Sequence, residues 1–250
     1  MSTYVMSDIH GHIKLFDRML KKIQFSEQDH LYILGDIIDK GPEPVKLLQK
    51  IATMQNVTFL QGNHEDMMLD YFYTRDWSLW YMNGGYYTDS LLEEEVSELE
   101  YQALMRFVEA APLVIPDLQV GDNHFYLSHA GYIDINQLKN VYPDKEMLNH
   151  QDLYNFNPYR IQDLLWDRTE PPQTDFYIIT GHTPVNHRDL NNQNKKIYKK
   201  NHFFDIDCGC AGIIFKQFGQ LSCLRLDDFA EFYVKYTKKE AEKIVEEFSL

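Results

Sequence analysis

Apolar residues along the chain fall into two rhythms. Short β-rich runs, TYVM, LYIL, VTFL, HFYLS and FYIIT, each stop at a polar cluster: SDIHGH, GDIIDKG, QGNHE, HAGY and GHTPV. Between the first three runs the apolar spacing is helical. Leu15, Met19, Lys22 and Ile23 mark one stretch, and Val45, Leu47, Leu48 and Ile51 the next, behind Pro42, a residue suited to a first helical turn. The pattern predicts strand, loop, helix, strand, repeated. Asp8 and Asp36 are 28 residues apart and Asp36 and Asn63 are 27 apart, close to the roughly 30 residues of a βαβ unit. Such units return each polar cluster to one edge of a parallel sheet, where open α/β sheets bind ligands. On this reading Asp8, His10, Asp36, Asp39, Asn63, His64, His129 and His182, spread over 175 positions, converge.

Composition narrows what they could do. With 250 residues, 44% hydrophobic and 25% charged, the chain is expected to form one large domain over residues 1–250. A formal charge of -14 argues against a general binder of nucleic acid or anionic membrane, which needs a basic footprint. A phosphate-bearing substrate would need local positive charge from bound metal or a few placed basic residues. The chain contains no apolar run of the roughly 18 residues a membrane span requires, and strand-like sequence from Thr3 leaves no room for a leader, so a cytoplasmic location is expected. Three cysteines, Cys208, Cys210 and Cys223, are an odd number gathered late in the chain and do not form a disulfide framework. Cys208 and Cys210, in DIDCGCAG, read as small buried residues at a strand end rather than as a redox or metal pair.

The converging set mixes carboxylate, imidazole and carboxamide. Such groups are poor core material, since an unpaired buried polar group costs several kcal/mol, but they suit divalent transition metals. A single histidine would carry little weight. Four of them, each at a strand-to-loop junction with glycine beside or near it, point to a metal site.

In that order and at those intervals, SDIHG, GDIIDKG, GNHE, HAG and GHTP resemble the phosphoprotein phosphatase branch of the calcineurin-like metallophosphoesterases, over about Thr3 to Leu226. The resemblance is to bacterial-type serine/threonine protein phosphatases in particular. It implies an α/β sandwich of two mixed β-sheets flanked by helices, with a dimetal site at the C-terminal ends of the strands. Carried over, it makes Asp8 and His10 ligands of one metal, Asp36 the bridge, and Asn63, His129 and His182 the remaining ligands of the second. It further implies a metal-bridging hydroxide that attacks the phosphorus of a phosphoserine or phosphothreonine ester in a phosphoprotein or phosphopeptide. His64 would be the general acid and Asp39 its orienting carboxylate, whereas Glu65 is read simply as a first-turn acid suited to the helix dipole. Manganese is the first choice of cation by analogy with bacterial relatives, with iron and zinc also suited to mixed oxygen and nitrogen ligands.

Substrate phosphate is expected to meet Arg168, Lys40 and Asn63. Arg168, in LLWDRTEPP, resembles an arginine upstream of GHT in bacterial members; its alternative is a surface pair with Asp167. Where the family reads D-R-G this chain reads Asp39, Lys40, Gly41, which keeps charge and loses the planar fork. Lys40 then acts as a point charge, or Arg168 carries more of the load, or substrate preference has shifted. After His129 the chain reads Ala130 and then Gly131, a change that should leave ligation intact.

The rest is less specific. Residues 65–111 read as a helical cap, within which Trp80, Tyr81, Asn83, Gly84 and Tyr86 either shape a substrate rim or simply pack. Leu92, Val96, Leu99, Ala103 and Phe107 mark one amphipathic helix. The four lysines of NNQNKKIYKKN read as a solvated loop leading into a strand. Residues 229–250 read as a helical tail, with Ile244, Val245 and Phe248 docking on the domain or on a second chain. Two rivals to the phosphatase stay open: a symmetrical dinucleoside tetraphosphate hydrolase, against which GHTPV leans, and an inactive relative serving as a binding protein, which should have lost a ligand.

Overall fold

A computed structural model describes residues 1–215 and 219–248. The three strands β1 (Thr3–Met6), β2 (His30–Leu34) and β3 (Val57–Leu60) alternate with helices α1 (Ile13–Lys22) and α2 (Pro44–Thr53). The second helix begins at Pro44, two residues later than Pro42 suggested, with proline in its first turn. Both strand pairs are parallel, Val5 opposite Tyr32 and Ile33 opposite Phe59. Four helices follow: α3 (Asn63–Thr74), α4 (Ser78–Met82), α5 (Tyr86–Glu95) and α6 (Glu98–Ala110).

The second half supplies β4 (Val114–Val120), β5 (Asn123–Ser128), α7 (Ile135–Val141), α8 (His150–Phe156), α9 (Tyr159–Trp166) and β6 (Tyr177–Thr180). Then come α10 (Val185–Arg188), β7 (Tyr198–Lys200), β8 (Phe203–Asp205), β9 (Leu221–Arg225), β10 (Glu231–Val234) and α11 (Lys238–Phe248). One sheet runs β10-β9-β1-β2-β3 and the other β4-β5-β6-β8-β7, each mixing parallel and antiparallel pairs. The polar clusters therefore do not share one sheet edge: the first three end strands of one sheet, and the last two end β5 and β6 of the other.

Strand alternation explains the layering. Val5, Leu34, Leu60, Phe125, Leu127 and Ile179 point between the sheets and form a shared core. Their neighbours Tyr4, Met6 and Ile33 turn the other way, under α1, α2 and α3, and Tyr126 and Ile178 lie under α7, α8 and α9. The central strands of each sheet are buried on both faces, so they read as near-continuous apolar runs instead of alternating ones.

Two predicted elements change. The run from Leu92 to Phe107 is not one helix: it breaks at Val96, which is extended, and Ser97 caps α6 by accepting the Glu100 amide, leaving Leu99 exposed. The predicted tail from residue 229 is a strand first, β10 pairing antiparallel with β9, and becomes helical only at Lys238. Ile244 and Val245 are buried against this chain's own core, and Arg18 pairs with Glu240 to seat α11 beside α1. The Phe248 side chain lies outside the described residues. Residues 191–201 do lead from loop into β7. Among the described residues no helix is long and apolar enough to cross a membrane.

Leu127→Ala tests the shared core. Its side chain is wholly buried between the sheets, so the truncation should cost ~2–5 kcal/mol of unfolding free energy, measured by urea denaturation.

Candidate dimetal site

The loops leaving the strands are tied edge to edge before any side chain is considered. Asp8 N donates to Gly35 O, His10 N to Asp36 O at 2.9 Å and Gly11 N to Ile37 O at 2.7 Å, so the first two loops prolong the β1–β2 pairing past the strands. Gly181 N donates to His129 O at 2.8 Å and does the same for β5 and β6. Glycine makes the next level of closeness possible. A Cβ on Gly62 would stand 2.2 Å from Asp36 Oδ1, and one on Gly181 would stand 2.2 Å from Asp8 Oδ2. The residue before Asn63 and the residue before His182 must therefore lack a side chain.

Asp36 lies at the junction. Its Oδ1 is 3.6 Å from His129 Nε2, while Oδ2 is 3.5 Å from His10 Nε2 and 3.9 Å from His64 Nε2. On the Oδ1 side, Asn63 Oδ1 is 2.9 Å from His129 Nε2 and 3.0 Å from His182 Nδ1, and the two imidazole nitrogens are 3.2 Å apart. Two groups of potential ligands follow, His10–Asp36–His64 and Asp36–His129–His182, sharing the one aspartate and buried throughout.

The hydrogen bonds behind these rings fit a cation. His10 Nδ1 faces the Ile38 carbonyl at 2.9 Å and His129 Nδ1 the Leu34 carbonyl at 2.7 Å, so each ring donates backward and turns the Nε2 lone pair inward. His182 Nε2 is buried with no hydrogen-bond partner among the described residues; with the proton there, Nδ1 adds a third lone pair beside those of His129 and Asn63. Three acceptors facing one another without a donor repel, and a cation between them removes the conflict.

Electrostatics points the same way. Burial holds His129 below the ordinary histidine range and His10 well below it, and Lys40 adds to the effect on both. Burial and the neighbouring His129 bring His182 down to about 3. Neutral imidazole, the ligating form, is thus favoured at all three. Burial alone would raise the Asp36 carboxyl, but His129, His64, His10 and Lys40 outweigh it and hold the group far below the usual range. Asp8 goes the opposite way, raised well above it by burial and by the charges of Asp207 and Asp36.

The other expected residues distribute as follows. Asp8 is buried beside Asp36, but its Oδ2 accepts the His182 amide at 2.9 Å and the Ser7 hydroxyl, and it belongs to neither tight group. His64 Nδ1 faces Asp39 Oδ2 at 2.6 Å, both fully enclosed. Lys40 is half-buried next to Asp39 and its charge reaches Asp36 and His10. Arg168 is exposed on the loop after α9. Asp167 does not pair with it and instead accepts the Thr169 amide and hydroxyl at 2.8 and 2.7 Å. The Arg168 carbonyl is held by Arg188, whose guanidinium pairs with buried Asp205 at 2.8 Å. Cys208 and Cys210 are free, buried thiols.

Glu65 is much more than a first-turn acid. With no exposed surface, its carboxylate accepts the amides of Gly62, Asp36 and Ile37, each at 2.9 Å, and so bolts the second loop to the third. Asp207, in DIDCGCAG, carries no local sequence signal that sets it apart from a turn residue. It is buried near Asp8 and Asp36, and burial lifts its carboxyl to about 6.

Histidine and carboxylate groups sharing one aspartate, where the strands of two facing mixed sheets end, are consistent with the dimetal site of a metal-dependent phosphoesterase. The chain belongs to the calcineurin-like phosphoesterase family, which matches residues 1–208. A serine/threonine-protein phosphatase 2 of Salmonella typhimurium is 34% identical over 132 residues, 52% of this chain and 59% of that protein. The chain thus spans little more than half of the curated phosphatases it matches. A symmetrical bis(5'-nucleosyl)-tetraphosphatase of Buchnera aphidicola is 37% identical over 67 residues, 26% of this chain and 24% of that one. Among solved structures, a protein serine/threonine phosphatase from Saccharomyces cerevisiae superposes with a TM-score of 0.57 at 14% identity, covering 95% of this chain and 82% of its own. A metallophosphoesterase from Sphaerobacter thermophilus gives 0.54 at 14% identity, covering 100% and 94%. At that identity the likeness is one of fold.

Glu65→Ala leaves three enclosed amides unpaired. Unfolding free energy should fall by about 3 kcal/mol or more, measured by urea denaturation with chelator present, while Glu65→Gln, which retains an acceptor oxygen, should lose less.

Proposed function

We propose that the chain is a phosphomonoesterase acting on phosphoserine and phosphothreonine in proteins. The observation that carries the reading is the placement of the His64–Asp39 pair against Asp36, the carboxylate shared by the two ligand groups. Asp8, His10 and Asp36 would hold one divalent cation, and Asp36, Asn63, His129 and His182 the other, with manganese our choice among the cations that suit mixed oxygen and nitrogen donors. Two cations there would supply an acidified water and neutralise charge on the phosphate.

The chain's own groups do the rest. Arg168 would grip two phosphate oxygens as a fork, Lys40 would add a point charge where an arginine would have added a second fork, and the Asn63 amide would add a donor. As the new bond from water oxygen to phosphorus forms and the ester P–O bond breaks, His64 Nε2 gives its proton to the leaving alkoxide. Asp39, bound at Nδ1, keeps the ring aimed and stabilises its protonated form. A protein substrate is supported by the longer match to the protein phosphatases than to the tetraphosphatases.

Chelation should abolish turnover and manganese restore it. His64→Asn should cut kcat on a phosphoserine peptide by roughly 10²–10⁴ with metal content, read by atomic spectroscopy, unchanged; a variant as active as the parent would remove His64 from the mechanism. Asp36→Asn should lose metal as well as activity. Offered a phosphoserine peptide and diadenosine tetraphosphate with manganese, the protein should prefer the peptide, and strong preference for the nucleotide would overturn the assignment.

A further inference from the structure

Asp39 is held by more than His64. Its carboxylate has no exposed surface and takes three donors from three helices: His64 Nδ1 of α3 at 2.6 Å and Trp80 Nε1 of α4 at 2.8 Å on Oδ2, and the Thr88 hydroxyl of α5 on Oδ1. Trp80 and Thr88 are themselves enclosed, at 1% and 0% exposure, so neither bond is shared with solvent. The turn between α4 and α5 is shaped for this. A Cβ on Gly85 would fall 2.4 Å from the Trp80 indole, so glycine is what lets the ring lie flat against the chain and direct its N–H at Asp39. Asp39 also adopts a left-handed backbone, φ 61°, uncommon for a residue other than glycine.

We propose that Trp80 and Thr88 are positioning residues for proton delivery, acting through Asp39. This rests on the reading of His64 as general acid. The torsion that turns a carboxylate is soft, and a carboxylate with a single donor can rotate or slide along it. With the indole on one oxygen and the hydroxyl on the other, Asp39 has one orientation, and in it Oδ2 faces His64 Nδ1 while Nε2 points toward Asp36. Assembly of the helical segment 78–95 is then a condition for aiming His64, although that segment contributes no ligand to the ligand groups. A purely packing role for Trp80 and Thr88 would leave the proton step no more affected than any other.

The two accounts separate by leaving group. A serine alkoxide needs a proton as the P–O bond breaks; 4-nitrophenolate, a stable anion, does not. Trp80→Phe keeps the ring and removes the N–H, and Thr88→Val keeps the shape and removes the O–H. In the manganese-loaded enzyme each should lower kcat on a phosphoserine peptide by about tenfold, the equivalent of one hydrogen bond to a charged group, with KM and turnover of 4-nitrophenyl phosphate close to the parent. Thr88→Ser, which restores the hydroxyl, should restore the ratio. Without metal, the imidazole N–H proton resonance of the His64–Asp39 bond, identified by its loss in His64→Asn, should broaden in both variants. If His64→Asn discriminates between the substrates but Trp80→Phe and Thr88→Val slow both equally or neither, the two residues only anchor the cap and the inference fails. If His64→Asn itself does not discriminate, the general-acid reading fails and takes the inference with it. Thr88→Val carries the test should Trp80→Phe not fold.

Discussion

A carboxylate that must stay ionised with almost no access to water is the constraint on which this molecule is built. Asp36 is 2% exposed, and burial by itself would neutralise it. What prevents this is geometry: the loops bring the His64 amide to Asp36 Oδ1 at 3.1 Å and the Lys40 charge near it, and two sheets that end at the same place surround it with imidazoles. The sandwich is therefore as much an arrangement for surrounding one negative charge as for burying apolar strands. The shared core keeps the two sets of loops at contact distance.

Holding acceptors so close has a backbone cost, visible where the chain is forced into left-handed conformations. Asp8, His10, Asp36, Asp39, Lys40 and His182 all have positive φ, between 46° and 65°. Such strain persists only where the surroundings over-determine it. Glu65 is one of the restraints, tying three amides of two loops to one carboxylate, and the main-chain bonds that extend β1–β2 and β5–β6 are the others. Rigidity here is bought from neighbouring loops, so the site and the fold's stability are not separable quantities.

The strand runs and the residues at their ends were legible because each announces itself locally: an apolar run, then glycine beside a polar group. Four kinds of feature were not. Glu65 and Asp207 draw their importance from groups distant in sequence, and nothing near them distinguishes a bolt or a buried acid from an ordinary polar residue. The break between α5 and α6 was signalled by Ser97 with Glu100 three residues on, but the spacing from Leu92 to Phe107 suits a single helix and masked it. β10 is hidden for another reason: an edge strand only half-buried along its length carries no clear alternation, and it runs directly toward a helical sequence. Sheet membership lay beyond local pattern, since parallel neighbours look alike whichever sheet they join.

The chain has three tryptophans, and two of them touch the machinery. Trp80 bonds to Asp39, and Trp166 stands edge-on to the His182 ring with centroids 6.0 Å apart. A native fluorophore consequently stands beside each ligand group, one linked through the carboxylate behind His64 and the other in ring contact with His182. Variants that keep only Trp80 or only Trp166 would let emission from the unlabelled protein follow each ligand group separately.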